Sequence, residues 1–433
     1  MLHVLDPLIL LSEVSAKQSI RPCTFQSEIM QSQKKPVILL IAEAVTLAHF
    51  ARIVTLARAL DGSVYEVVIA SDPRYAGLEA PLDYTFHSIQ SISSREFSQA
   101  LSRGKPLYSV TTLTQYVEDD LALLDRVKPN LVVGDFRLSL AVSGPLCKIP
   151  YAAVVNAYWS PFADIAYPVP DLSMTRILGL RLAQKLFDIV RPLAFALHAR
   201  PLNQVRRRFG LPSLGSDLRT VYTWGDYTLY ADIPELAPTR NLPASHHYLG
   251  PVFWSAHTSL PNWWNQLSDE KPLVFVSLGT SGQAGLLPMV LTALSQLPVT
   301  VIVATAGKIA LADVPANAYI ADYLPMDIAT KRSRMVISNG GSMAGYQALA
   351  SERPIIGLCS NMDQLLNMGA IERLGAGFAL RADRASSAEI FSAVRTMLDD
   401  SSYAQSASQL SRMIQQHDSG QRLREIVTEI LRL

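Results

Sequence analysis

The sequence predicts an α/β protein with two doubly wound halves, each a parallel sheet covered by helices, facing one another across a cleft. Three observations carry this prediction. Short apolar runs alternate with amphipathic stretches along most of the chain, which is the pattern of βαβ units. The alternation comes in two series, starting near residues 36 and 273, with a stretch rich in Gly, Pro and polar residues between them. A chain of 433 residues with 49% hydrophobic content can bury two cores.

Residues 1–35 stand apart from this pattern. Residues 8–11 are apolar, but no basic region precedes them and Glu13 and Lys17 follow, so they make a poor signal peptide. Residues 1–29 read as a mis-called start or a loose tail, and the fold begins with the strand at 36–42 (PVILLIA). Residues 49–60 (HFARIVTLARAL) place Phe50, Ile53, Val54, Ala57 and Leu60 at helical spacing. A strand at 65–71, a helix at 112–128, a strand at 130–135 that ends on Asp135, and a strand at 151–156 follow. Residues 158–170 hold three prolines and four aromatics and read as a long loop before helices at about 174–209. The second series has strands at 273–279, 299–305, 318–320, 335–337 and 354–358. The expected division is 36–249, a linker at 250–272, and 273–433, with the last helix free to return to the first domain.

Residues 336–367 (VISNGGSMAGYQALASERPIIGLCSNMDQLLN) are the most informative stretch. Asn339, Gly340, Gly341 and Ser342 follow one short strand, and a helix is expected from about Ala344. Asp363 and Gln364 follow the next strand. Two successive βα turns thus place polar residues on the same sheet edge, where open α/β sheets bind ligands. Glycines before a helix N-terminus suit a phosphate. An acid and an amide suit sugar hydroxyls. Together they point to a nucleotide-sugar.

This segment resembles the donor-site signature of family 1 glycosyltransferases, the GT-B enzymes related to UDP-glucuronosyltransferases and macrolide glycosyltransferases. The family pattern opens with His-Gly-Gly or His-Cys-Gly, has an acid eight residues later, and closes with Asp/Glu-Gln. Here Asn339 replaces the His, Gln347 stands at the acid's position, and Asp363-Gln364 close the motif. Glu352-Arg353-Pro354 replaces the usual Gly-Val-Pro. Leu249-Gly250-Pro251 is similar to the family's interdomain junction, so the resemblance spans roughly 36–433. It implies a GT-B fold, with acceptor binding in the first domain and the nucleotide-sugar in the second. Ser277, Gly279 and Thr280 match a turn whose hydroxyl reaches a phosphate. Residues 321–326 resemble the stretch that holds the base, with Tyr323 stacking and Leu324 reading the base edge through its backbone. Met326 replaces a Gln, which removes a ribose contact. An ordinary reading also exists, in which Tyr323 is a strand-end aromatic packed on Pro325.

In the family, a His at the distance of His49 before a helix end like Leu56–Leu60 is the general base, and an acid at Asp135 supports it. The chemistry is consistent. A helix N-terminus favours neutral imidazole, and a carboxylate on the other ring nitrogen fixes the tautomer. Singly, His49 reads equally well as a solvated helix residue and Asp135 as a helix cap. On one sheet edge they suggest catalysis. Trp159, Phe162 and Tyr167 of the aromatic loop are candidates for the acceptor pocket, or alternatively anchors of that loop.

Composition narrows the function classes. Net charge is +1, with 38 basic and 37 acidic residues, which gives no footprint for nucleic acid. Three cysteines without CxxC spacing argue against a disulfide framework or a zinc site and fit a cytoplasmic setting. No run is long enough to span a membrane, which leaves at most peripheral contact. Glycines 279, 282 and 285 do not make a nicotinamide fingerprint, and no phosphate-binding P-loop motif occurs. No DxD ends a strand; Asp119-Asp120 and Asp399-Asp400 read as solvated helix-end charges. The reading is an inverting, metal-independent transfer of a hexose from a UDP- or dTDP-sugar to a hydroxyl on an apolar small-molecule or lipid acceptor, without a further cofactor. Two alternatives stay open: a GT-B nucleotide-sugar epimerase, and a silent nucleotide-sugar-binding protein.

Overall fold

The computed structural model describes residues 35–79 and 83–432. Apart from Lys35, the tail expected at 1–35 lies outside the described residues. Two sheets organise the chain. The first contains β1 (Val37–Ala42), β2 (Glu66–Ser71), β3 (Thr85–Ser88), β4 (Leu131–Asp135), β5 (Tyr151–Val155), β6 (Tyr227–Tyr230) and β7 (His246–Tyr248), in the order β3-β2-β1-β4-β5-β6-β7. The second contains β8 (Leu273–Ser277), β9 (Thr300–Ala304), β10 (Ala318–Ala321), β11 (Met335–Ser338), β12 (Ile355–Cys359) and β13 (Gly377–Arg381), in the order β10-β9-β8-β11-β12-β13. All pairings within both sheets are parallel.

Each order reverses once, between β1 and β4 and between β8 and β11. A crevice opens beyond the C-terminal strand ends at such switch points. The register sets Ala42 beside Asp135 in the first sheet and Ser277 beside Ser338 in the second. The turns that follow these four strands therefore meet in pairs.

Side chains alternate across each sheet. In β1, Val37, Leu39 and Ile41 enter one core, while Ile38, Leu40 and Ala42 enter the other with Phe50, Ile53 and Val54 of the helix Leu47–Ala59. Burying each large apolar side chain contributes about 1.5–3 kcal/mol, so this apolar stripe fixes the helix on the sheet. The C-terminal helix Ser419–Leu431 joins the same core through Leu423, Ile426 and Val427. Its Arg424 donates to the carbonyl of Ala59 at 2.8 Å. The end of the chain thus braces the helix that carries His49.

His246 and His247 lie on the edge strand β7, with Tyr230 Oη and His246 Nδ1 2.6 Å apart. Two local expectations change. The helix after β11 starts at Ser342. Asp120 is fully buried rather than solvated, because Arg137 reaches it at 3.1 Å while also donating to Glu43 at 2.9 Å. That buried network pins the backbone just after β4.

Candidate active site

His49 stands in the first turn of the helix Leu47–Ala59, beside the end of β4. Its Nδ1 lies 2.7 Å from Asp135 Oδ1. Arg52, one turn further along the helix, donates to the same carboxylate twice, from Nε to Oδ2 at 2.7 Å and from Nη2 to Oδ1 at 2.9 Å. Burial pushes the Asp135 carboxyl up, but the charges and hydrogen bonds of Arg52 and His49 outweigh it and hold it below its ordinary value. An ionised Asp135 can only accept, so Nδ1 of His49 carries the shared proton, and in the neutral imidazole that leaves the lone pair on Nε2.

Two further features hold the imidazole. Phe136 adopts φ 56, a left-handed conformation that is unusual for a bulky residue. This turns its ring onto His49, with centroids 5.0 Å apart and planes 8° from parallel. From the second half of the chain, Thr280 Oγ1 accepts the Leu47 N–H at 3.1 Å and so caps the helix. The hydroxyl proton of Thr280 remains able to donate elsewhere.

A buried chain of hydrogen bonds runs on from Arg52. Its Nη1 donates to Asn156 Oδ1 at 2.9 Å, and Asn156 Nδ2 donates to both oxygens of Asp232 at 3.2 Å. Tyr346 Oη donates to Asp232 Oδ1 at 3.0 Å. Burial pushes Asp232 up to about 6, against the hydrogen bonds from Ala157, Asn156 and Tyr346. Tyr346 belongs to the helix Ser342–Ala350, so this chain of bonds links Arg52 and the His49–Asp135 pair to the element that follows the glycine turn.

His49 and Asp135 line a cleft of about 390 Å³ between the two halves. Across it stand Ser277, Gly279, Thr280, Tyr323, Leu324, Asn339, Gly341, Ser342, Asp363 and Gln364. Gln364 is only 2% exposed, and its Nε2 has no hydrogen-bond partner, although its Oε1 accepts from the Ser360 N–H at 2.8 Å. A buried, unpaired donor on a residue that lines a cleft suits a ligand hydroxyl. Trp159 Nε1 donates to Asp363 Oδ1 at 2.8 Å, which joins an expected acceptor residue to an expected sugar residue across the cleft. Tyr323 Oη donates to the carbonyl of Ala306 at 3.2 Å.

Four expected residues do not reach the cleft lining. Gly340 has φ 81, and a Cβ there would lie 2.7 Å from Cys359 Sγ and Met368 Cγ, so it shapes the turn rather than its surface. Gln347 is 6% exposed on the inner side of its helix. Tyr167 is buried, with its hydroxyl donating to the carbonyl of Tyr158 at 2.8 Å. Phe162 packs edge-on against His246. The last two anchor the aromatic loop, which corrects the acceptor-pocket expectation for them.

The apolar part of the cleft comes from elsewhere. Phe97, Leu107, Phe136, Leu172, Phe187, Phe195 and Tyr222 join Trp159 there. They lie on several separate segments, and sequence reasoning missed them. Arg52 was also missed, although a charged residue inside the apolar run Phe50–Val54, one turn after His49, was a legible signal.

Asn339 holds its own turn together. Its Nδ2 donates to Ser281 Oγ at 2.9 Å, and its Oδ1 accepts from the Gly341 N–H at 3.3 Å. The second amide proton is free to donate to an anion. Asn339→Ala is expected to weaken nucleoside diphosphate binding by roughly 1.5–3 kcal/mol, the value of a hydrogen bond to a charged acceptor. Asn339→Asp is expected to weaken it further, by setting a negative charge beside the anion. Titration calorimetry with UDP and dTDP checks the order, and wild-type affinity in both variants removes Asn339 from the phosphate site.

Comparison with known proteins agrees with this architecture. Residues 288–432 match the family described as erythromycin biosynthesis protein CIII-like, C-terminal domain. The chain is 52% identical over 374 residues to a PGL/p-HBAD biosynthesis rhamnosyltransferase of Mycobacterium tuberculosis, covering 86% of this chain and 83% of that one. It is 50% identical, over 86% of this chain and 87% of the other, to a PGL/p-HBAD biosynthesis glycosyltransferase of the same species. Among solved structures, a spinosyn rhamnosyltransferase aligns with a TM-score of 0.64 at 20% identity, covering 90% of this chain and 99% of that one. With half its residues shared over most of its length, the chain belongs to the same glycosyltransferase family as these PGL/p-HBAD biosynthesis enzymes and is itself a glycosyltransferase, and it shares the GT-B fold of the solved structure.

Proposed function

We propose that the protein transfers a hexose from a UDP- or dTDP-sugar to a hydroxyl of an apolar acceptor, by single displacement with inversion. The observation that carries this reading is one cleft that holds both a carboxylate-bound imidazole, His49, and the buried, unpartnered amide of Gln364. His49 Nε2 takes the acceptor proton as the acceptor oxygen attacks the anomeric carbon, and Asp135 stabilises the imidazolium that forms. The leaving diphosphate settles against the Gly341–Ser342 turn and the start of the helix Ser342–Ala350, with Thr280 donating a hydroxyl. These donors offset the developing charge without a metal. Asp363 and Gln364 hold the sugar, and Tyr323 stacks on the base. The aromatic side of the cleft, from Phe97 to Tyr222, receives the acceptor. A rhamnosyltransferase relative and the thymidine diphosphate bound by the spinosyn enzyme favour a dTDP-linked deoxyhexose as donor.

A panel of UDP- and dTDP-sugars tests the reading through melting temperature. A ligand at 100 times its Kd stabilises the folded state by about 2.7 kcal/mol, and dTDP-rhamnose is expected to give the largest shift. Asp363→Ala is expected to lose most of that shift and to keep the shift from free dTDP. Equal loss with both ligands places Asp363 away from the sugar. No shift with any of these sugars, or no product from a phenol or alcohol acceptor, sinks the proposal.

A further inference from the structure

The helical segment Ser173–Arg208, kinked at Gly179 where the backbone takes φ 72 and ψ 161, has two apolar faces. One, through Phe187, Ala194 and Phe195, lines the cleft. The other faces water. Of the fourteen large hydrophobic side chains exposed among the described residues, nine lie on this helix, including Ile177 at 81%, Ile189 at 78% and Leu193 at 64%. Leu182, Leu186, Ile189, Leu193 and Leu197 recur every three to four residues, which makes one continuous stripe. Between Leu182 and Leu197 it runs for about 22 Å at 1.5 Å per residue. Such a contiguous apolar surface marks an interaction site, unlike single exposed aliphatics.

Charge indicates the partner. Arg176, Arg181, Lys185 and Arg200 are exposed along this helix, against the single acid Asp188. Among the described residues, no carboxylate pairs with Arg181, Lys185 or Arg200. An aliphatic stripe with cations beside it fits the surface of an anionic bilayer, where aliphatic side chains enter the acyl boundary and cations meet the headgroups. No helix of the described residues is long and apolar enough to cross a membrane, so the contact is one of lying on the surface. The opposite face of the same helix lines the cleft, so a docked protein would hold its apolar cleft close to the lipid.

We propose that this outer face is a docking surface for anionic membranes. The lipid contact is independent of turnover, so its test can fail without touching the proposed reaction. The probe is flotation of the full chain with vesicles of phosphatidylcholine containing about one third phosphatidylglycerol, against phosphatidylcholine alone. The full chain is expected to float with the anionic vesicles, less so as salt rises. Ile189→Glu combined with Leu193→Glu is expected to lower the bound fraction by about tenfold or more at unchanged melting temperature. Arg181→Glu combined with Lys185→Glu, which leaves the stripe intact, is expected to abolish the preference for the anionic lipid. A wild-type chain that stays with the buffer overturns the proposal, as does floating of both variants like wild type. So does a wild-type dimer that the Ile189→Glu/Leu193→Glu variant dissociates in light scattering, since the face then joins two copies of this chain.

Discussion

His49→Ala is expected to cut kcat for sugar transfer by about 10²–10⁴, the range lost with a positioned general base, and to leave nucleoside diphosphate affinity unchanged. The separation follows from where the groups sit. His49 belongs to the first sheet's switch point, and the residues expected to hold the diphosphate surround the second. With Nδ1 held by Asp135 at 2.7 Å, only Nε2 can act on the acceptor, and alanine leaves nothing in its place. Asp135→Asn is expected to lose less. An asparagine oxygen can still accept the Nδ1–H, but a neutral amide stabilises the imidazolium poorly. Steady-state kinetics, with titration calorimetry for dTDP and UDP, checks both. A His49→Ala enzyme with near wild-type kcat takes His49 out of the mechanism.

The sequence made the frame of the site legible and hid what holds it. Strand-end residues could be placed, because alternating apolar runs mark the strands and the βα turns share one edge. His49, Asp135 and the Asn339–Ser342 and Asp363–Gln364 turns therefore sit where they were expected to. What stayed hidden depends on long-range contacts and single backbone torsions. Nothing local signals that Phe136 takes a positive φ and stacks on His49. Nothing local joins Thr280 to the Leu47 N–H across more than two hundred residues, or Trp159 to Asp363. Gln347 shows the opposite failure. A family spacing placed it at the donor site, while its helix turns it into the core. The acceptor side was least legible, because its aromatics come from scattered helices and turns with no common motif.

Arg52→Met is expected to cost about 3–5 kcal/mol of folding stability at neutral pH, the usual effect of removing one partner from a buried ion pair. Arg52 and Asp135 are both buried, with two hydrogen bonds between them. Methionine fills much of the volume but leaves Asp135 with His49 alone, and leaves Asn156 Oδ1 without its donor. The pH dependence separates lost charge pairing from lost packing. In the wild type the Asp135 carboxyl is held below its unfolded value, so its stabilisation is present at neutral pH and is lost as pH falls through the folded pKa. In the variant, burial dominates and raises the carboxyl, so the variant is penalised as pH rises and relieved when Asp135 protonates. The stability gap between the two proteins should therefore narrow on acidification from neutral pH. Urea unfolding of both across that range measures it. A gap that stays constant with pH assigns the loss to packing, and a gap under 1 kcal/mol, below the usual cost of one unsatisfied buried group, removes Arg52 as the counter-ion that keeps Asp135 charged beneath His49.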